Sequence, residues 1–218
     1  MKKINKPQQF SRAYLTTLLP ANAIFIEAGA HDGTDTVKFS ALFSSGTIHA
    51  FEPVPVLYAE LCARTHNLPN VRTYQLALSN TIGTAPMFVT EGVFSSTNSL
   101  FAPQEIQQEH PDVHYQTIKV PTTTLHAWAH QNTIPTIDCM WLDAQGAELA
   151  ILQGAEQLLS NVSALVVEVN TTERYKGIPQ YTEIRDWLAQ HNFAPLIEHL
   201  HHTTWGNVLF YNTQLFTL

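Results

Sequence analysis

Cysteine and long apolar runs are both scarce in this chain of 218 residues. The only two cysteines, Cys62 and Cys139, have apolar neighbours, so we expect free core thiols, which suit a reducing compartment, and no disulfide framework. No run of about 18 apolar residues is present, so no membrane-spanning helix is expected. Lys2 and Lys3 have no apolar stretch behind them, which argues against a signal peptide. These absences predict a soluble, cytoplasmic protein.

Positive charge is also limited. There are 11 Lys and Arg residues against 18 Asp and Glu residues, which gives a net charge of −7 with histidine neutral. No basic run longer than Lys2-Lys3 is available to line a groove. This balance argues against nucleic acid or a membrane surface as a partner. With 44% hydrophobic and 13% charged residues, the composition is instead typical of a globular domain with a sizeable core.

Apolar runs of strand length alternate with stretches of helical periodicity. Strands are predicted at about residues 24–28, 48–51, 72–76, 85–89, 116–120, 137–142, 164–169, 193–198 and 208–211. Helices are predicted at about residues 11–19, 34–44, 56–66, 123–131, 147–159 and 182–191, with Thr34 as a cap. A hairpin through Thr203-Thr204-Trp205-Gly206 joins the last two strands. This order predicts an α/β fold with a mostly parallel, doubly wound sheet, one antiparallel strand and helices on both faces.

No internal repeat or linker divides the sequence, so we expect one domain over residues 1–218, with residues 1–20 as a helical extension. Residues 79–121 interrupt the alternation and contain two short strands that suit an antiparallel pair. Between these strands, Glu91–Asp112 is rich in Ser, Gln and acidic residues. A loop of that length in a compact domain is usually functional or disordered. We therefore interpret residues 79–121 as an insertion that serves as a lid or substrate loop.

The first strand ends in a glycine turn, and the second strand ends in the acid Glu52. A strand, a glycine turn, a helix and a strand ending in an acid form a nucleotide-binding half-fold, in which the acid holds ribose hydroxyls. The turn Gly29–Gly33 lacks the middle glycine that admits a pyrophosphate, and Asp32 within it would repel one. A zwitterionic amino-acid tail fits better than a dinucleotide, with Glu27 and Asp143 facing an ammonium or sulfonium charge. S-Adenosylmethionine is such a cofactor.

Polar groups follow four predicted strands, whose carboxyl ends should meet at one edge of the sheet. They are Glu27 with Gly29, Glu52, Asp143, and Glu168 with Asn170. Each also has an ordinary explanation: a turn glycine, a solvated acid, a helix cap and a structural pair, respectively. Their coincidence at four strand ends is what favours a ligand site.

Several longer motifs resemble the FkbM family of S-adenosylmethionine-dependent methyltransferases, over about residues 24–211. The motifs are Ile26-Glu27-Ala28-Gly29-Ala30-His31-Asp32-Gly33, Ala50-Phe51-Glu52-Pro53, Gln75-Leu76-Ala77-Leu78-Ser79, Thr124-Leu125, Ile137-Asp138, Leu142–Ala155, Val167-Glu168-Val169-Asn170 and Gly206-Asn207-Val208-Leu209-Phe210. The resemblance implies a Rossmann-like, seven-stranded class I methyltransferase fold. It also implies O-methylation of a sugar or another small-molecule hydroxyl.

The resemblance further implies which residues contact the cofactor. Glu27, Gly29 and His31 would bound its methionine end, Glu52 would bind the ribose and Asp143 would lie near the reacting methyl. The full set of expected cofactor-binding residues is Glu27, Gly29, Ala30, His31, Gly33, Glu52, Pro53, Ala77, Leu78, Ser79 and Asp143.

The chain departs from the family pattern at three positions. Trp141 stands where many members have Lys, Gln145 where many have Glu, and His126 where Asp is frequent. Either a structural charge pair has been replaced as a unit, or the acceptor is handled differently. A non-catalytic cofactor-binding module is therefore one alternative to an enzyme. A dinucleotide-dependent oxidoreductase is another, which the missing middle glycine disfavours.

Transfer to a hydroxyl needs a general base, for which the candidates are Asp143, His31 and Glu168, in that order. The candidate acceptor-binding residues are Ser96, Asn98, Gln145, Asn170 and Tyr175. The expected partner is a small-molecule or glycan acceptor.

Histidine is abundant, with 11 residues, so a metal site must be considered. His199, His201 and His202 offer two ligands on one strand face but no evident third, and a second group joins His110 and His114 with Asp112. We predict no metal.

Overall fold

The computed structural model describes residues 1–201 and 204–218, without the side chains of residues 92–94 and 156. The strands are β1 (Lys2–Lys3), β2 (Ile24–Ala28), β3 (Thr47–Phe51), β4 (Val71–Tyr74), β5 (Ala77–Leu78), β6 (Gly83–Val89), β7 (Gln116–Thr123), β8 (Cys139–Leu142), β9 (Ala164–Asn170), β10 (Phe193–His201), β11 (Trp205–Asn212) and β12 (Phe216–Thr217). The helices are α1 (Leu15–Leu18), α2 (Thr34–Leu42), α3 (Pro55–Thr65), α4 (Glu105–Glu109), α5 (Leu125–Gln131), α6 (Glu148–Gln153) and α7 (Tyr181–Gln190). Three 3₁₀ helices lie at Arg12–Tyr14, Gly92–Thr97 and Glu156–Asn161.

A seven-stranded sheet forms the centre of the protein, in the order β10-β11-β9-β8-β2-β3-β4. Strand β11 runs antiparallel to both neighbours, and the other paired strands of this sheet are parallel. The predicted Rossmann-like sheet with one antiparallel strand is thus confirmed. Apolar clusters pack on both faces, and every residue of β8 and β9 is buried, as expected for central parallel strands. The carboxyl ends of β2, β3, β8 and β9 meet at one edge.

A second sheet, in the order β5-β7-β6, lies within and beside the predicted insertion. The expected antiparallel pair is confirmed, because Ala85 lies opposite Val120 and Val89 opposite Gln116. The strand predicted at residues 72–76 was too long. It ends at Tyr74, since the chain then leaves the main sheet and pairs through β5 with β7.

The single helix predicted at residues 147–159 was wrong. Helix α6 ends at Gln153, and a 3₁₀ helix follows at Glu156–Asn161. The break falls at Gly154, where a Cβ atom would lie 2.2 Å from the carbonyl oxygen of Ser79. The close approach of these two backbones, which only glycine permits, depends on chain segments far apart in sequence.

Two predictions at the amino-terminal side also need correction. Gly33, with φ +82°, occupies the cap position of α2, and Thr34 is the first helical residue. The carboxylate of Asp32 accepts the backbone N–H of Thr34 instead, at 2.9 Å. The helix expected at residues 11–19 is a 3₁₀ turn at Arg12–Tyr14 followed by the single turn of α1.

The segment predicted as a lid contains helix α4 and a 3₁₀ helix, and backbone hydrogen bonds join it to the loop after β9. The N–H of Gln104 donates to the carbonyl oxygen of Arg174 at 3.0 Å, and the N–H of Lys176 donates to that of Ala102 at 2.8 Å. The predicted hairpin turn differs, because Trp205 and Gly206 already belong to β11, while residue 203 lies outside the described residues. None of the helices in the described part of the chain combines the length and apolarity that a membrane crossing requires.

Candidate active site

A cavity of about 280 Å³ opens at the carboxyl edge of the main sheet. It is lined by Ala28, Gly29, His31, Phe51, Glu52, Pro53, Leu57, Leu76, Ala77, Leu78, Met87, Ser95, Ser96, Thr97, Asn98, Leu100, Asp143, Ala144, Gln145, Ala147, Ile151, Glu168, Arg174 and Trp205. The cavity thus brings together the ends of β2, β3, β8 and β9, the second sheet and residues 95–100.

Most of the residues predicted for the site line this cavity. They are Gly29, His31, Glu52, Pro53, Ala77, Leu78, Ser96, Asn98, Asp143, Gln145 and Glu168. The predicted residues outside its lining are Glu27, Ala30, Gly33, Ser79, Asn170 and Tyr175. Several of these lie directly behind the lining, as their hydrogen bonds show below.

Glu52 connects the two turns that frame one end of the cavity. Its carboxylate is 4% exposed and accepts the backbone N–H groups of His31 and Val54, both at 2.9 Å. Burial raises the pKa of Glu52 to about 7, although these two hydrogen bonds oppose the rise. Each carboxylate oxygen accepts one of these bonds and retains a lone pair for a ligand hydroxyl.

The glycine turn packs against the end of β8. Gly29 has φ +84°, and a Cβ atom there would lie 1.9 Å from the carbonyl oxygen of Asp143. The N–H groups of Gly29 and Ala30 both donate to the carbonyl oxygen of Phe51, at 3.0 and 2.9 Å. The first amides of this turn are therefore used within the protein, and Asp143 is held beside the turn.

Asp143 and Glu168 approach each other through the side chain of Gln145. The amide nitrogen of Gln145 donates to Oδ1 of Asp143 at 2.8 Å and to Oε2 of Glu168 at 2.7 Å. The hydroxyl of Tyr175 donates to Oε1 of the same amide at 2.8 Å. Tyr175, a candidate acceptor-binding residue, is 1% exposed and lies outside the cavity lining, where it supports Gln145 from behind.

A buried acid that the sequence motifs did not single out shapes the turn after β8. The carboxylate of Glu148 accepts the N–H groups of Ala144 and Gly146, at 2.8 and 2.9 Å. Burial raises its pKa to about 8. Its place within the predicted helix made it resemble an ordinary first-turn acid. Only the fold of the preceding turn shows that Glu148 holds that turn, and with it Gln145, in place.

Two further lining residues, Arg174 and Trp205, were missed. The guanidinium of Arg174 lies 5.4 Å from the centre of the Trp205 ring and 3.5 Å from the carboxylate of Glu109. Only 13% of the Arg174 side chain is exposed. Trp205 lies opposite Asn170 in the register of β9 and β11. A prediction that placed the hairpin correctly would therefore have put Trp205 beside the carboxyl end of β9.

Residues 95–99 close the cavity from the lid side. The Oγ atom of Ser95 lies 2.9 Å from Nε2 of His31. The side-chain oxygen of Asn98 accepts the N–H of Thr90 at 2.8 Å, whereas its Nδ2 atom is buried with no partner among the described residues. Asn98 lines the cavity, so this buried donor without a partner lies beside the site.

Trp141, one of the departures noted above, lies in the core next to the site. Its ring centre is 5.0 Å from that of Phe39 and 5.8 Å from that of Phe10. The guanidinium of Arg12 stacks over the same ring at 4.9 Å and forms an ion pair with Asp35. The positive charge next to Trp141 is therefore that of Arg12, in the amino-terminal segment.

The histidines do not assemble a metal site within the described ranges, where no group of three His, Cys, Asp or Glu side chains has suitable geometry. The ring of His199 packs against those of Phe10 and His201. His202 lies outside the described residues.

Glu27 lies under the glycine turn and gives the fold a dependence on pH. It is 2% exposed and accepts the hydroxyl of Thr36 at 2.6 Å. Burial raises its pKa from the ordinary 4.5 to about 8. A raised pKa means that the native state binds the proton more tightly than the unfolded state. The stabilisation is complete below pH 4.5 and is lost as the pH rises through about 8.

We expect Glu27→Gln to remove this dependence. Between pH 4.5 and about 8, the free energy of unfolding of the native sequence should fall relative to that of the variant by up to about 1.4 kcal/mol per pH unit. Urea unfolding at a series of pH values measures this difference. The matched control is Glu60→Gln on the exposed surface of α3. Parallel pH curves for Glu27→Gln and the native sequence would contradict the prediction.

Comparison with known proteins adds a family and a fold. The profile of the Methyltransferase FkbM domain matches residues 27–195. The 2-O-methyltransferase NoeI of Sinorhizobium fredii (strain NBRC 101917 / NGR234) is 24% identical over 221 residues, which cover 99% of this chain and 90% of NoeI. Methyltransferase sdnD of Sordaria araneosa is 24% identical over 164 residues, or 64% of this chain and 62% of sdnD.

Among solved structures, the crystal structure of Methyltransferase FkbM from Methylobacillus flagellatus KT resembles this fold with a TM-score of 0.56 at 12% identity. The match covers 90% of this chain but only 45% of that one. At this identity the similarity concerns the fold alone.

Proposed function

The chain belongs to the methyltransferase family defined by the FkbM domain, and we propose that it transfers a methyl group from S-adenosylmethionine to a hydroxyl oxygen of a sugar or other small-molecule acceptor. The observation that carries the proposal is the cavity at the strand ends. It has Glu52 at one side, Asp143 and Glu168 at another, and apolar side chains between them.

The residues present fit an adenosyl cofactor. Phe51, Leu76 and Leu78 offer apolar surface suited to a flat base, and Ala77 leaves room beside them. The two oxygens of Glu52 retain acceptor capacity for the two ribose hydroxyls. Near the opposite side, carboxylates favour a positive charge such as a sulfonium.

The same geometry disfavours a dinucleotide. A pyrophosphate is normally held by free backbone N–H groups of the glycine turn. Here the amides of Gly29 and Ala30 donate to Phe51, and that of His31 donates to Glu52. An incoming phosphate would face the carboxylate of Glu52 without these donors.

When bound, S-adenosylmethionine supplies a methyl group activated by a sulfonium sulfur. The chain's own residues must orient the acceptor, exclude water and take the hydroxyl proton. Asp143 is the leading general base, because it lines the cavity and is partly exposed, whereas Glu168, which also lines it, is buried. Ser95, Ser96, Thr97, Asn98 and Leu100, within the predicted lid, line the cavity and exclude water from it.

The acceptor side of the cavity suits a polyhydroxylated ring. Trp205 contributes apolar surface to the lining, and Arg174, whose guanidinium lies over the Trp205 ring, offers hydrogen-bond donors there. The similar protein NoeI is a 2-O-methyltransferase, which supports oxygen as the methylated atom. A glycan or small sugar derivative is accordingly the acceptor class we propose.

Two experiments test the function. Calorimetry with S-adenosylmethionine, S-adenosylhomocysteine and NAD should detect binding of the first two, and binding of NAD alone would overturn the choice of cofactor. Incubation with a labelled methyl donor and a panel of sugars, glycolipids and cell extract, followed by mass analysis, should yield a methylated hydroxyl. Cofactor binding without any methylated product would favour the non-catalytic module.

We expect Glu52→Gln to weaken binding of S-adenosylhomocysteine by roughly 10- to 100-fold, as for loss of hydrogen bonds to a charged group. The neutral amide keeps only one acceptor oxygen, which cannot serve the turn amides and both hydroxyls. Calorimetry on the native chain and the variant gives the ratio of their dissociation constants for S-adenosylhomocysteine. Matching thermal unfolding curves show that the turns are intact. Unchanged affinity would remove Glu52 from the ribose site.

A further inference from the structure

The amide of Gln145 places two carboxyl groups in one small space. Because its nitrogen bonds both Oδ1 of Asp143 and Oε2 of Glu168, these oxygens are no further apart than the sum of the two distances, 2.8 and 2.7 Å. One amide nitrogen has two hydrogens, so each carboxyl receives one. The two acids are therefore bridged by a single donor group and are not independent members of the cavity wall.

Gln145 itself is held in a conformation that other contacts enforce. Its φ is +51°, in the left-handed region that residues with a side chain seldom adopt. The buried hydroxyl of Ser99 donates to its carbonyl oxygen at 2.6 Å, and the hydroxyl of Tyr175 donates to its side-chain oxygen. A backbone held in such a conformation by several surrounding contacts is typical of functional sites. These bonds also orient the amide with its nitrogen toward the carboxyl groups.

The surroundings disfavour two negative charges on these acids. Trp141 and Val166 precede Asp143 and Glu168 by two residues, so buried apolar side chains lie on the sheet face beneath them. Burial raises the pKa of Asp143, and burial together with the charge of Asp143 raises that of Glu168. The charged and titratable groups that face the pair from neighbouring elements are Glu27, His31, Asp35, Glu148, Arg174 and Tyr175.

We propose that Asp143 and Glu168 act as one carboxyl pair that shares a single proton, and that Gln145 is the positioning residue that holds this pair against the acceptor. The inference rests on the proposed O-methyl transfer. In the resting pair, one carboxyl is neutral and the other is ionised. The ionised carboxyl receives the proton of the acceptor hydroxyl as that oxygen gains the methyl group, and the doubly protonated pair then returns one proton to solvent.

This arrangement accounts for an amide at position 145. A carboxylate there would add a third negative charge beside two acids and would provide no donor to bridge them. Glutamine supplies both hydrogens and no charge. The pair thus has the apolar side chain of Trp141 below it and the neutral bridge of Gln145 above it.

The test measures proton sharing directly, on the full chain without cofactor or acceptor. Protein carrying ¹³C at the Asp and Glu carboxyl carbons is titrated by NMR, and Asp143→Asn and Glu168→Gln assign the two signals. We expect the pKa of Glu168 to fall by at least about one pH unit in Asp143→Asn, because the charge of Asp143 raises it in the native pair, and the pKa of Asp143 to shift by a comparable amount in Glu168→Gln, as for coupled sites. Changes in pKa below about 0.3 pH unit in both variants would overturn the proposed pair, because coupled sites show much larger changes.

Gln145→Leu tests the positioning role. Loss of the two donors should raise the pKa of both carboxyls, while the matched control Gln153→Leu, on the exposed side of α6, should leave them unchanged. If Gln145→Leu does not fold, Tyr175→Phe keeps Gln145 but removes the bond to its Oε1 atom, and a smaller rise is expected. Titration curves that are unchanged in the folded variant would overturn the role of Gln145.

Calorimetry with S-adenosylhomocysteine on the same samples separates this inference from the proposed function. Intact binding without coupled titration would overturn the carboxyl pair only. Coupled titration without binding of either adenosyl compound would overturn the proposed methyl transfer, and with it the catalytic role of the pair.

Discussion

Asp143→Asn should slow methyl transfer by about 10²- to 10⁴-fold, the usual contribution of a general base. The amide is nearly isosteric, so the turn against Gly29 is retained, but it cannot accept the hydroxyl proton. The affinity for S-adenosylhomocysteine should change by less than about threefold, which is under 1 kcal/mol. Single-turnover rates, measured with the acceptor found in the product screen, separate the chemical step from binding.

Asp138→Asn is the matched control for this prediction. Asp138 lies before β8, at the opposite edge of the sheet from Asp143, and its side chain accepts the N–H of Ile24 at 2.7 Å. An asparagine oxygen can keep that bond, so activity should stay within about twofold, as for changes near half a kcal/mol. Full activity of Asp143→Asn would remove Asp143 from the chemistry, whatever the result for the control.

Gly29→Ala should destabilise the fold by about 3 kcal/mol or more, because it adds two independent penalties. The backbone at φ +84° is unfavourable for alanine, and the new Cβ would overlap the carbonyl oxygen of Asp143. Moving that carbonyl would shift Asp143 and its bond to Gln145. Urea unfolding should show the loss of stability, and any folded fraction should bind S-adenosylhomocysteine poorly.

Gly177→Ala separates the two penalties. Gly177 has φ +74°, but nothing lies within 4 Å of the position that its Cβ would take. Only the backbone penalty should remain, about 1 kcal/mol. Equal losses in the two variants would show that the approach of Gly29 to Asp143 contributes no stability.

The main sheet and the meeting of its polar strand ends at one cavity were largely predictable because their signals are local. The period of the apolar residues, the glycine turn and the acid after β3 are readable over a few residues each. Parallel strands place their carboxyl ends together, so Glu52 and Asp143 were expected at one edge, and both line the cavity. The strand predicted at residues 72–76 was too long by two residues at its end, because pairing of β5 with β7 depends on strands distant in sequence.

On the side of the cavity that we propose for the acceptor, the structure differs more from the prediction, and particular residues show why. Tyr175 was expected to bind the acceptor, but its hydroxyl donates to the side-chain oxygen of Gln145 from behind the cavity. Arg174 and Trp205 were missed because they come together only when the loop after β9 folds over the start of β11. The sequence pattern places Glu148 in the first turn of a helix, where acids are common. Its hydrogen-bond partners are the N–H groups of the preceding turn, and the motif does not predict the shape of that turn.

By itself, the sequence determined the family, the succession of the main strands along the chain and the edge at which the polar strand ends meet, since motifs, periodic apolar residues and turn glycines act over short distances. Only the tertiary structure decided that Gln145 bridges two acids and that the turn amides are already bonded. Those features depend on hydrogen-bond distances of about 3 Å between segments brought together by packing. No pattern along the chain specifies such distances, because they are set by the whole fold.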